Sequence, residues 1–579
     1  MSTADTPDGR WPVRVWPGLV ILAVGVLMWT IPPRVAPRTM VHFMTWFMAP
    51  ILGTVAAIGW WTFASRVRGT FRWLVPTLVL VPAVVLALTV YRGEGKEMAV
   101  AIYGLAAALV IWVGWLAASV PLSGEVRRNG LLVGLGGLWV VAGMLKLEGT
   151  DADLVPNFRW RWQQSEEEQF LAGRKAAPAP VAAGATVAVG PGDWPEFRGA
   201  KRDGLVTGVK LDPDWAARPP ELVWKQRVGP GWGSFAVAGG KLFTQEQRGT
   251  DEAVVCYDAA TGAEVWEYKT PARFSETIAG PGPRATPTVH DGKVYAQGAT
   301  GKLARLDAAT GRHEWTADVV AAGGVLPQWG FAASPLVADG VVIVYAGGGT
   351  GKGTAAFKAA DGAPAWTAGN AKHGYSSAQL ATFGGVPQAL MLSDYGLESF
   401  RPADGVKLWD NPWTIPDVNR STQPTVLSDT DVMIGTGVGN DQGIRRLRVT
   451  KAGDAWDVKS VWQTRGAKPY FNDGVAVGGH FYGFDDDRFC CVDLETGKQL
   501  WKETAYGHGQ VIGLPDQGLL IVQGVKGQVA LVQADAAELN ELAKFPAISG
   551  KTWNHPVVAH GRLYVRNGQE AACYRLATR

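Results

Sequence analysis

This chain has few cysteines and few charged residues, and it lacks two motifs of common hydrolases. Four cysteines among 579 residues are too few for a disulfide framework, so the fold has to be stabilised by its own core. Charged residues make up only 18%, and the formal net charge of +3 argues against nucleic acid as a partner. Neither a His-Glu-x-x-His zinc motif nor a Gly-x-Ser-x-Gly nucleophile elbow occurs, which excludes the hydrolases that use them.

Asp, Glu, Lys and Arg are absent from five apolar stretches near the N-terminus. These stretches lie at residues 15–31, 40–63, 73–91, 98–120 and 131–145. Most of them reach the ~20 residues that a helix needs to cross the hydrocarbon core. The sequence therefore predicts an α-helical membrane domain of about five transmembrane helices at residues 1–148, in contact with membrane lipid. Because the stretches hold no ionisable group except His42, we interpret this domain as an anchor rather than an ion path or a haem site.

The loop charges predict how this domain lies in the membrane. A cytoplasmic N-terminus places seven basic residues inside and four outside, a modest positive-inside bias. The seven are Arg10, Arg14, Arg66, Arg68, Arg72, Arg127 and Arg128, and the four are Arg34, Arg38, Arg92 and Lys96. We therefore expect a multi-pass protein of the cytoplasmic (inner) membrane whose C-terminal domain lies in the periplasm.

The composition changes between residues 149 and 192. We predict that this segment is a linker. Alanine, proline and glycine dominate the second half of the segment, which indicates a semi-extended chain. The acidic run Glu166-Glu167-Glu168 is interpreted as a solvated helical face, since no neighbouring residue supplies a converging metal ligand.

A phrase built on Asp, Thr-Gly and a closing tryptophan recurs after residue 193. Clear copies occupy residues 257–266, 306–315 and 492–501, and weaker copies occupy 358–366 and 401–409. The Asp caps a turn, the Gly takes its left-handed position, and the tryptophan opens an outer strand that packs against the next blade. The closing aromatics recur about every 46 residues, which is the length of one propeller blade. They are Trp224, Trp266, Trp315, Trp366, Trp409, Trp462, Trp501 and Phe545.

Eight closing aromatics predict an all-β eight-bladed β-propeller at residues 193–579. Residues 221–228 have the pattern of a fourth strand with no blade before it, and residues 570–577 have the pattern of a third strand with none after it. Pairing these two segments would close the circle and protect both edges.

The repeated phrases resemble the tryptophan-docking repeats of quinoprotein propellers, some of which are dehydrogenases that use pyrroloquinoline quinone (PQQ) with calcium. The same repeat occurs in outer-membrane protein assembly lipoproteins, which use the fold without a cofactor. The opening segment from Trp194 to Gly199 resembles the entry of bacterial PQQ-like propellers. The resemblance implies a quinoprotein-like fold and leaves PQQ with calcium as a candidate cofactor. The calcium ligands and the Asp base of those dehydrogenases cannot be assigned to this chain by motif.

The repeat register also predicts where a ligand would bind. Ligands of propellers usually meet the mouth of the central channel, where the innermost strand of each blade begins. The candidate ring at this mouth consists of Trp232, Arg284, Phe331, Tyr375, Arg420, Asn472, His508, Trp553 and His555. Arginine forks and aromatic faces suit a small anionic or planar ligand. The alternative is that these residues only pack and cap the channel.

Three other motifs favour structural interpretations. Cys490-Cys491 resembles the vicinal disulfide of some quinoprotein alcohol dehydrogenases, but Cys491 shares its repeat position with Cys256 and Cys573, which indicates a small core residue. The glycine-rich run 347–353 lacks the residues of a phosphate loop and predicts a hairpin turn. The acidic run 485–487 is placed in a turn between two strands.

Two functions follow from these observations. The first is a binding or scaffold module that is anchored in the membrane and recognises a periplasmic protein partner or a small ligand. The second is a PQQ-dependent dehydrogenase that oxidises an alcohol or sugar and passes electrons to quinone. The compact repeats and the missing metal and base motifs favour the first.

Overall fold

The structure of this chain is a computed structural model that describes residues 13–35, 40–91, 96–150, 155–174, 186–415, 420–436 and 442–579. The chain forms two compact units. One comprises Met1–Ser165 with Ser275–Gly280, and the other comprises Glu166–Phe274 with Pro281–Arg579. Arg10, Arg38, Arg92 and residues 175–185 of the predicted linker lie outside the described residues.

The first unit is a helical bundle followed by a short hairpin. Its helices are α1 (Trp16–Thr30), α2 (Pro32–Val35), α3 (Met40–Phe63), α4 (Phe71–Thr89), α5 (Glu97–Ala99), a π-helical turn (Val100–Gly104), α6 (Leu105–Ala118) and α7 (Gly124–Met144), and its hairpin is β1 (Leu145–Thr150) with β2 (Pro156–Trp160). In the described residues, four helices are long and apolar enough to cross a membrane, namely Trp16–Val35, Val41–Phe63, Phe71–Thr89 and Glu97–Ala118. They correspond to the first four predicted spans.

Helix α7 replaces the fifth predicted span and is less apolar than the other four. It begins at Gly124 rather than at residue 131, so that Glu125, Arg127 and Arg128 fall in its first turns. It also ends at Met144, because Leu145 already belongs to β1. By composition alone, the structure therefore supports four spans where the sequence predicts about five.

The contacts of α7 show that it runs along the whole bundle. At its start, the Arg127 guanidinium donates to the carbonyl oxygen of Leu116 at the end of α6 (3.1 Å). Near its end, the carbonyl oxygen of Ala142 accepts a hydrogen bond (2.8 Å) from the hydroxyl of Tyr91, a residue just after α4. Its 21 residues correspond to a length of about 31 Å, close to the thickness of the hydrocarbon core.

The second unit is an eight-bladed β-propeller in which each blade is a four-stranded antiparallel sheet. Helix α8 (Glu166–Gly173) and strand β3 (Glu221–Arg227) precede the first blade in the chain. The short pair β8 (Ser275–Glu276) with β9 (Gly280–Pro281) follows blade 1 in the chain and falls mostly within the segment Ser275–Gly280 of the first unit. Blade 1 comprises β4 (Ala236–Ala238), β5 (Lys241–Arg248), β6 (Asp251–Asp258) and β7 (Glu264–Pro271). Blade 2 comprises β10 (Thr288–His290), β11 (Lys293–Gln297), β12 (Lys302–Asp307) and β13 (His313–Asp318).

The remaining blades follow the same order from the innermost to the outermost strand. Blade 3 comprises β14 (Leu336–Ala338), β15 (Val341–Tyr345), β16 (Thr354–Lys358) and β17 (Pro364–Ala368). Blade 4 comprises β18 (Gln379–Phe383), β19 (Val386–Leu392), β20 (Gly396–Phe400) and β21 (Lys407–Pro412). Blade 5 comprises β22 (Thr425–Val426), β23 (Asp431–Gly435), β24 (Ile444–Ala452) and β25 (Ala455–Thr464).

Blades 6 and 7 are regular, and blade 8 combines both ends of the propeller. Blade 6 comprises β26 (Val475–Val477), β27 (His480–Asp485), β28 (Arg488–Asp493) and β29 (Gln499–Glu503). Blade 7 comprises β30 (Gln510–Leu514), β31 (Leu519–Gln523), β32 (Gln528–Gln533) and β33 (Asn540–Pro546). Blade 8 comprises β34 (Val557–Ala559), β35 (Arg562–Arg566), β36 (Glu570–Arg575) and β3, with Glu221 opposite Arg575 and Arg227 opposite Glu570.

The recurring tryptophan joins six of the eight blades to the next one. The indole Nε1 of Trp266 in blade 1 donates to the carbonyl oxygen of Ala308 in the turn of blade 2 (3.1 Å). Gly311 in that turn has a φ of +71°, and a Cβ there would come within 2.6 Å of the Trp266 ring. The same indole bond joins Trp224 to Ala259, Trp315 to Ala359, Trp366 to Pro402, Trp462 to Leu494 and Trp501 to Asp535.

Blade 5 departs from the repeat, and its neighbour compensates. Its strands β24 and β25 meet at Gly453 and lack the Asp-Thr-Gly turn. Trp409 of blade 4 therefore has no such turn to contact, and its indole Nε1 donates to Gln388 Oε1 within its own blade (2.6 Å).

The acidic run in the predicted linker is not a solvated face. Glu166 and Glu167 lie in the first turn of α8 and form ion pairs with Arg227 (2.6 Å) and Arg273 (2.9 Å). Phe170 of the same helix is buried. Helix α8 is therefore packed on the propeller through blades 1 and 8, which corrects the interpretation of this run.

The other motifs have structural roles. All four cysteines are free and buried, with Cys256, Cys491 and Cys573 on the third strand of their blades. The glycine-rich run 347–353 joins β15 to β16, which are paired as a hairpin. Asp486 takes a φ of +63° in the turn between β27 and β28.

Candidate binding surface at the channel mouth

The innermost strands begin just after the segments that the sequence places at the channel mouth. Trp232 lies in the loop that leads into β4, and Tyr375 lies in the loop that leads into β18. Each such loop runs from the outermost strand of one blade to the innermost strand of the next. All nine predicted ring residues occupy these loops, which form one rim of the propeller.

Four side chains on this rim form a partly exposed cluster, which we call the aromatic platform. The ring centroid of Trp553 lies 5.2 Å from that of Trp232 and 4.9 Å from that of Phe471. The Lys551 ammonium lies 4.9 Å from the Trp232 centroid and 4.6 Å from the Trp553 centroid, within the range of cation–π interactions. All four side chains are partly exposed. The platform therefore offers both stacking surface and positive charge.

Two predicted ring residues are buried beside the platform. The ring of His508 lies 5.9 Å from that of Phe471, and its side chain is only 2% exposed. The Asn472 amide Nδ2 donates to the carbonyl oxygen of Gly509 (2.7 Å), which orients its Oδ1 away from that carbonyl. Within the described residues this Oδ1 has no hydrogen-bond partner. Both residues therefore support the rim from inside.

Tyr375 and Arg420 lie on another part of the rim and contact other groups. The Tyr375 ring stacks on Trp329 with centroids 5.3 Å apart. Arg420 is fully buried, and its guanidinium donates to the carbonyl oxygens of Ser393 and Trp413, each at 2.5 Å. Burial lowers the pKa of Arg420 to about 10, although the nearby Asp394 opposes this shift. These donors serve the main chain and are not free for a ligand.

Arg284 and Phe331 do not form a ring with the others. The Arg284 guanidinium lies 4.6 Å from the Phe274 centroid and donates to the carbonyl oxygen of Gly282. Phe331 is fully buried in a core cluster of blade 3, where a Cβ on Gly301 would approach its ring to 2.8 Å. Phe331 therefore presents no face at the mouth, contrary to the sequence-based expectation.

His555 belongs to a buried ion cluster. Its Nε2 lies 3.4 Å from Asp473 Oδ2, and the Arg198 guanidinium lies 3.7 Å from the same oxygen. Burial opposes ionisation of Asp473, but Arg198 and His555 hold the pKa of this carboxyl below its usual value. Burial lowers the pKa of His555 despite the attraction of Asp473. The cluster thus joins the loops that lead into blades 6 and 8 to Arg198 of the entry segment.

Residues 194–205 fill the interior of the propeller at the innermost strands, and we call them the channel plug. Their contacts reach blade after blade around the ring. Trp194 pairs with Val237 of blade 1, Pro195 accepts from Val289 of blade 2, Lys201 accepts from Gln379 of blade 4, Arg198 donates to Gly474 before blade 6, and Leu205 pairs with Gly513 of blade 7. In the sequence, only the resemblance of residues 194–199 to a propeller entry marks this segment.

Arg202 is the central side chain of the plug. It is 2% exposed and pairs with Glu196 at 2.5 Å. Its guanidinium donates to the carbonyl oxygens of Pro335 and Ala378, each at 2.5 Å, which precede the innermost strands of blades 3 and 4. Two arginines in one short segment were a signal in the sequence. Their partners are main-chain carbonyl oxygens, however, which every residue has, so the sequence does not indicate which residues accept these hydrogen bonds.

The rim does not fit PQQ with calcium. Such a pair needs guanidinium donors for the carboxylates of the cofactor and oxygen ligands for the cation. No group of three or more His, Cys, Asp or Glu side chains that could hold a metal occurs in the described residues. Glu252 lies near Arg284, and Asp394 lies near Arg420. Each arginine thus has a single neighbouring carboxylate, and the two pairs lie on different blades, so that they form no shared set of cation ligands.

Comparison with known proteins finds relatives of two kinds. Residues 216–327 and 324–444 match the sequence profile described as outer membrane protein assembly factor BamB. BamB of Yersinia pestis is 25% identical over 370 residues, which are 60% of this chain and 86% of that protein. A polyvinylalcohol dehydrogenase of a Pseudomonas species is 25% identical over 234 residues, 34% of this chain and 36% of that enzyme.

The solved structure of BamB from Moraxella catarrhalis is also similar. Its alignment covers 62% of this chain and 99% of that chain, with 14% identity and a TM-score of 0.47.

Proposed function

We propose that this chain is a membrane-anchored binding module that displays its propeller outside the cytoplasm and holds a protein partner at the channel mouth. The observation that carries the proposal is the aromatic platform. Partly exposed aromatic rings beside an ammonium recognise a partner by stacking, apolar contact and attraction of negative charge. The assembly-factor name of the BamB relatives supports a role of this kind. A small anionic or planar ligand is the other occupant that this chemistry accepts.

The interior of the propeller supports binding rather than oxidation. The channel plug and the cluster of Asp473 and His555 occupy the space inside the innermost strands. Arg420, the predicted ligand fork, donates to main-chain carbonyl oxygens. The chemistry that remains accessible is therefore on the rim, where no metal-ligand group is found among the described residues.

The charges and contacts of the helical bundle support an extracytoplasmic propeller. The amide of Arg14 donates to the carbonyl oxygen of Ser65 (3.0 Å), and the Arg128 guanidinium lies 5.2 Å from the Phe71 ring. The arginines at and around these positions thus cluster at one end of the bundle, which the positive-inside rule places in the cytoplasm. Helix α7 starts at this end and finishes beside Tyr91 at the other, so we infer that it is the fifth crossing.

The first experiment locates the partner. A photoreactive amino acid replaces Trp232 on the platform of the full-length chain in its native membrane, and Leu500, 38% exposed on β29, serves as the matched control position. We expect the probe at position 232 to crosslink a discrete protein, and Trp553→Ala to reduce this crosslink at least fivefold. A crosslink of equal yield at both positions, or none at position 232, contradicts the proposal.

The second experiment tests the dehydrogenase alternative. The full-length chain in lipid nanodiscs is titrated with PQQ and calcium, and cofactor absorbance is followed together with dye reduction on alcohols and sugars. We expect no stoichiometric binding at micromolar PQQ, because the rim lacks a fitting set of ligands. Tight binding that is weakened by Arg284→Ala would establish the alternative instead.

A further inference from the structure

A loop before blade 3 exposes more large apolar side chains than any other loop in the described part of the propeller. Val320, Val325 and Leu326 are 42%, 57% and 45% exposed, and they lie within one loop between β13 and β14. The other large apolar side chains exposed on the described blades occur singly, at Leu222, Leu380, Val406, Val461, Leu500 and Leu542. Scattered apolar residues are ordinary on a protein surface, whereas a group of them indicates an interaction site.

The loop is held rigidly in this exposed form. The carboxylate of Asp318 accepts hydrogen bonds from the amides of Val320 (2.9 Å) and Ala321 (3.1 Å). Further along, the amide of Val325 donates to the carbonyl oxygen of Ala346 (2.9 Å). A surface that is fixed before binding loses little conformational entropy when a partner docks.

A groove of about 330 Å³ lies beside this loop on blade 3. Small side chains form much of its wall, and the outermost strand β17 forms one side. Its lining consists of Ala321, Ala322, Gly323, Lys352, Ala355, Ala356, Phe357, Pro364, Trp366 and Thr367. Strand β17 is the edge of its sheet, so that its outer backbone groups can pair with an added strand. The groove thus suits an extended segment better than a helix.

The glycine-rich turn 347–353 places positive charge at the same site. A Cβ on Gly323 would come within 3.1 Å of Lys352 Cδ, so the Lys352 side chain lies against the apolar loop. A Cβ on Gly349 would come within 3.6 Å of Lys372 Cγ, so the second lysine lies beside the turn. Both lysines are exposed, and neither forms an ion pair with the part of the chain that the structure describes. They carry charge that a partner can neutralise.

We propose that Val320, Val325, Leu326 and the groove on blade 3 form a docking site for an extended acidic segment of a partner protein. The apolar residues of that segment cover the loop, and its carboxylates meet Lys352 and Lys372, since exposed unpaired charges select a partner of opposite sign. The proposal rests on the proposed role as a protein-binding module and assigns it a second contact surface, separate from the aromatic platform.

The test uses the full-length chain in nanodiscs of zwitterionic lipid as the target for a phage-displayed library of random 12-residue peptides. We expect enrichment of peptides that combine apolar residues with aspartate or glutamate. The double variant Val325→Ser with Leu326→Ser should weaken such a peptide at least tenfold in fluorescence anisotropy, because it removes exposed apolar contacts without disturbing the core. Leu500→Ser, which removes a comparable apolar side chain elsewhere, should change the affinity less than twofold.

The lysines are tested separately with the same peptides. Lys352→Ala combined with Lys372→Ala should weaken binding at least fivefold and flatten its dependence on salt, since exposed ion pairs are screened. The matched control is Lys526→Ala, an exposed lysine on blade 7, which should leave both quantities unchanged.

Other outcomes overturn the assignment. Enriched peptides that are basic, or that bind the Val325→Ser and Leu326→Ser variant as tightly as the native chain, exclude a docking site on blade 3. A dimer of this chain that the same variant dissociates would identify a second copy as the occupant instead. Peptides that no longer bind the Trp553→Ala variant but still bind the double serine variant would identify the aromatic platform as the binding site. A library without any enriched peptide contradicts the docking site on blade 3, whereas the aromatic platform is tested separately by the crosslinking at position 232.

Discussion

Arg202 illustrates how a single buried side chain can join several blades. Its guanidinium bonds to carbonyl oxygens before blades 3 and 4 and pairs with Glu196 within the channel plug. A buried cation of this kind is tolerated only because each donor has an acceptor. Its residue type is therefore required by the packing of the ring rather than by a ligand.

Replacing Arg202 by methionine should destabilise the propeller strongly. Arg202→Met keeps the length of the side chain but removes the guanidinium donors of the Pro335 and Ala378 carbonyl oxygens and of the Glu196 carboxylate, at a cost of about 3–5 kcal/mol. Thermal unfolding of the full-length chain measures the loss. Arg218→Met is the control, because Arg218 is 64% exposed in its ion pair with Asp212 and should cost less than about 1 kcal/mol. Equal shifts in both variants would contradict this role of the plug.

Glu252 should make stability depend on pH near neutrality. Burial raises its pKa from 4.5 to about 7, although the Ala299 amide and Arg284 favour the charged form. Between these two values the folded state retains a proton that the unfolded state has lost, so stability falls as the pH rises. Glu252→Gln should remove this slope and stabilise the protein at pH 8 by up to about 3 kcal/mol.

Denaturant unfolding between pH 5 and pH 8 provides the measurement for Glu252. Glu221→Gln, whose carboxylate is largely exposed beside Arg575, should keep the native pH dependence. A Glu252→Gln profile that still falls between pH 5 and pH 7 would show that another group carries the effect.

In blades 1, 2, 3, 4 and 6, a turn with a glycine lies beneath the tryptophan of the preceding blade. Its glycine meets two independent demands, a positive φ and close contact with an indole ring. Only glycine satisfies both, which explains why the phrase recurs while the strands around it vary. In blade 5 the turn is lost, and Trp409 bonds within its own blade.

The two demands can be separated with a pair of alanine substitutions. Gly311 and Gly240 both have a φ above +70°, but only Gly311 lies under an indole, while a Cβ on Gly240 meets no atom within 4 Å. Gly240→Ala should cost about 1 kcal/mol through backbone strain alone. Gly311→Ala should cost about 3 kcal/mol, because the Trp266 ring must also move. Chemical denaturation compares them, and equal costs would contradict the docking role.

At the scale of the whole molecule, the side of the membrane follows from the number of crossings. Four crossings would leave the propeller on the same side as the arginine cluster, whereas five place it opposite. The contacts of α7 with Leu116 and Tyr91 at its two ends favour five.

Cysteine labelling should distinguish these two topologies. The four native cysteines are buried, so a membrane-impermeant maleimide should react only with introduced sites. Intact cells are used if the reagent reaches the cytoplasmic membrane, and spheroplasts are used if an outer membrane blocks it. In either preparation, Leu542→Cys on β33 should be labelled, while Arg68→Cys should react only after the cytoplasmic membrane is permeabilised. Protection of Leu542→Cys in intact spheroplasts would mean that α7 does not cross.

Much of the architecture could be predicted because it is encoded locally. Each apolar helix carries its own signal in about twenty residues, and each blade carries its own turn phrase. Helix α7 was predicted less well, since its charged start and its glycines weaken the apolar signal. The structure places the predicted ring residues in the loops between blades, but the sequence did not indicate their surroundings. Arg420 turned to the main chain and Phe331 turned into the core.

By itself, the sequence determined that this protein joins apolar helices to an eight-bladed propeller, because these elements are specified by short-range patterns. Tertiary structure alone decided what occupies the channel and what remains on the rim. Arg198 bonds to a carbonyl oxygen 276 positions away, and Lys551 meets Trp232 only when the ring closes. Contacts between such distant residues depend on how all eight blades are arranged, and no local pattern records them.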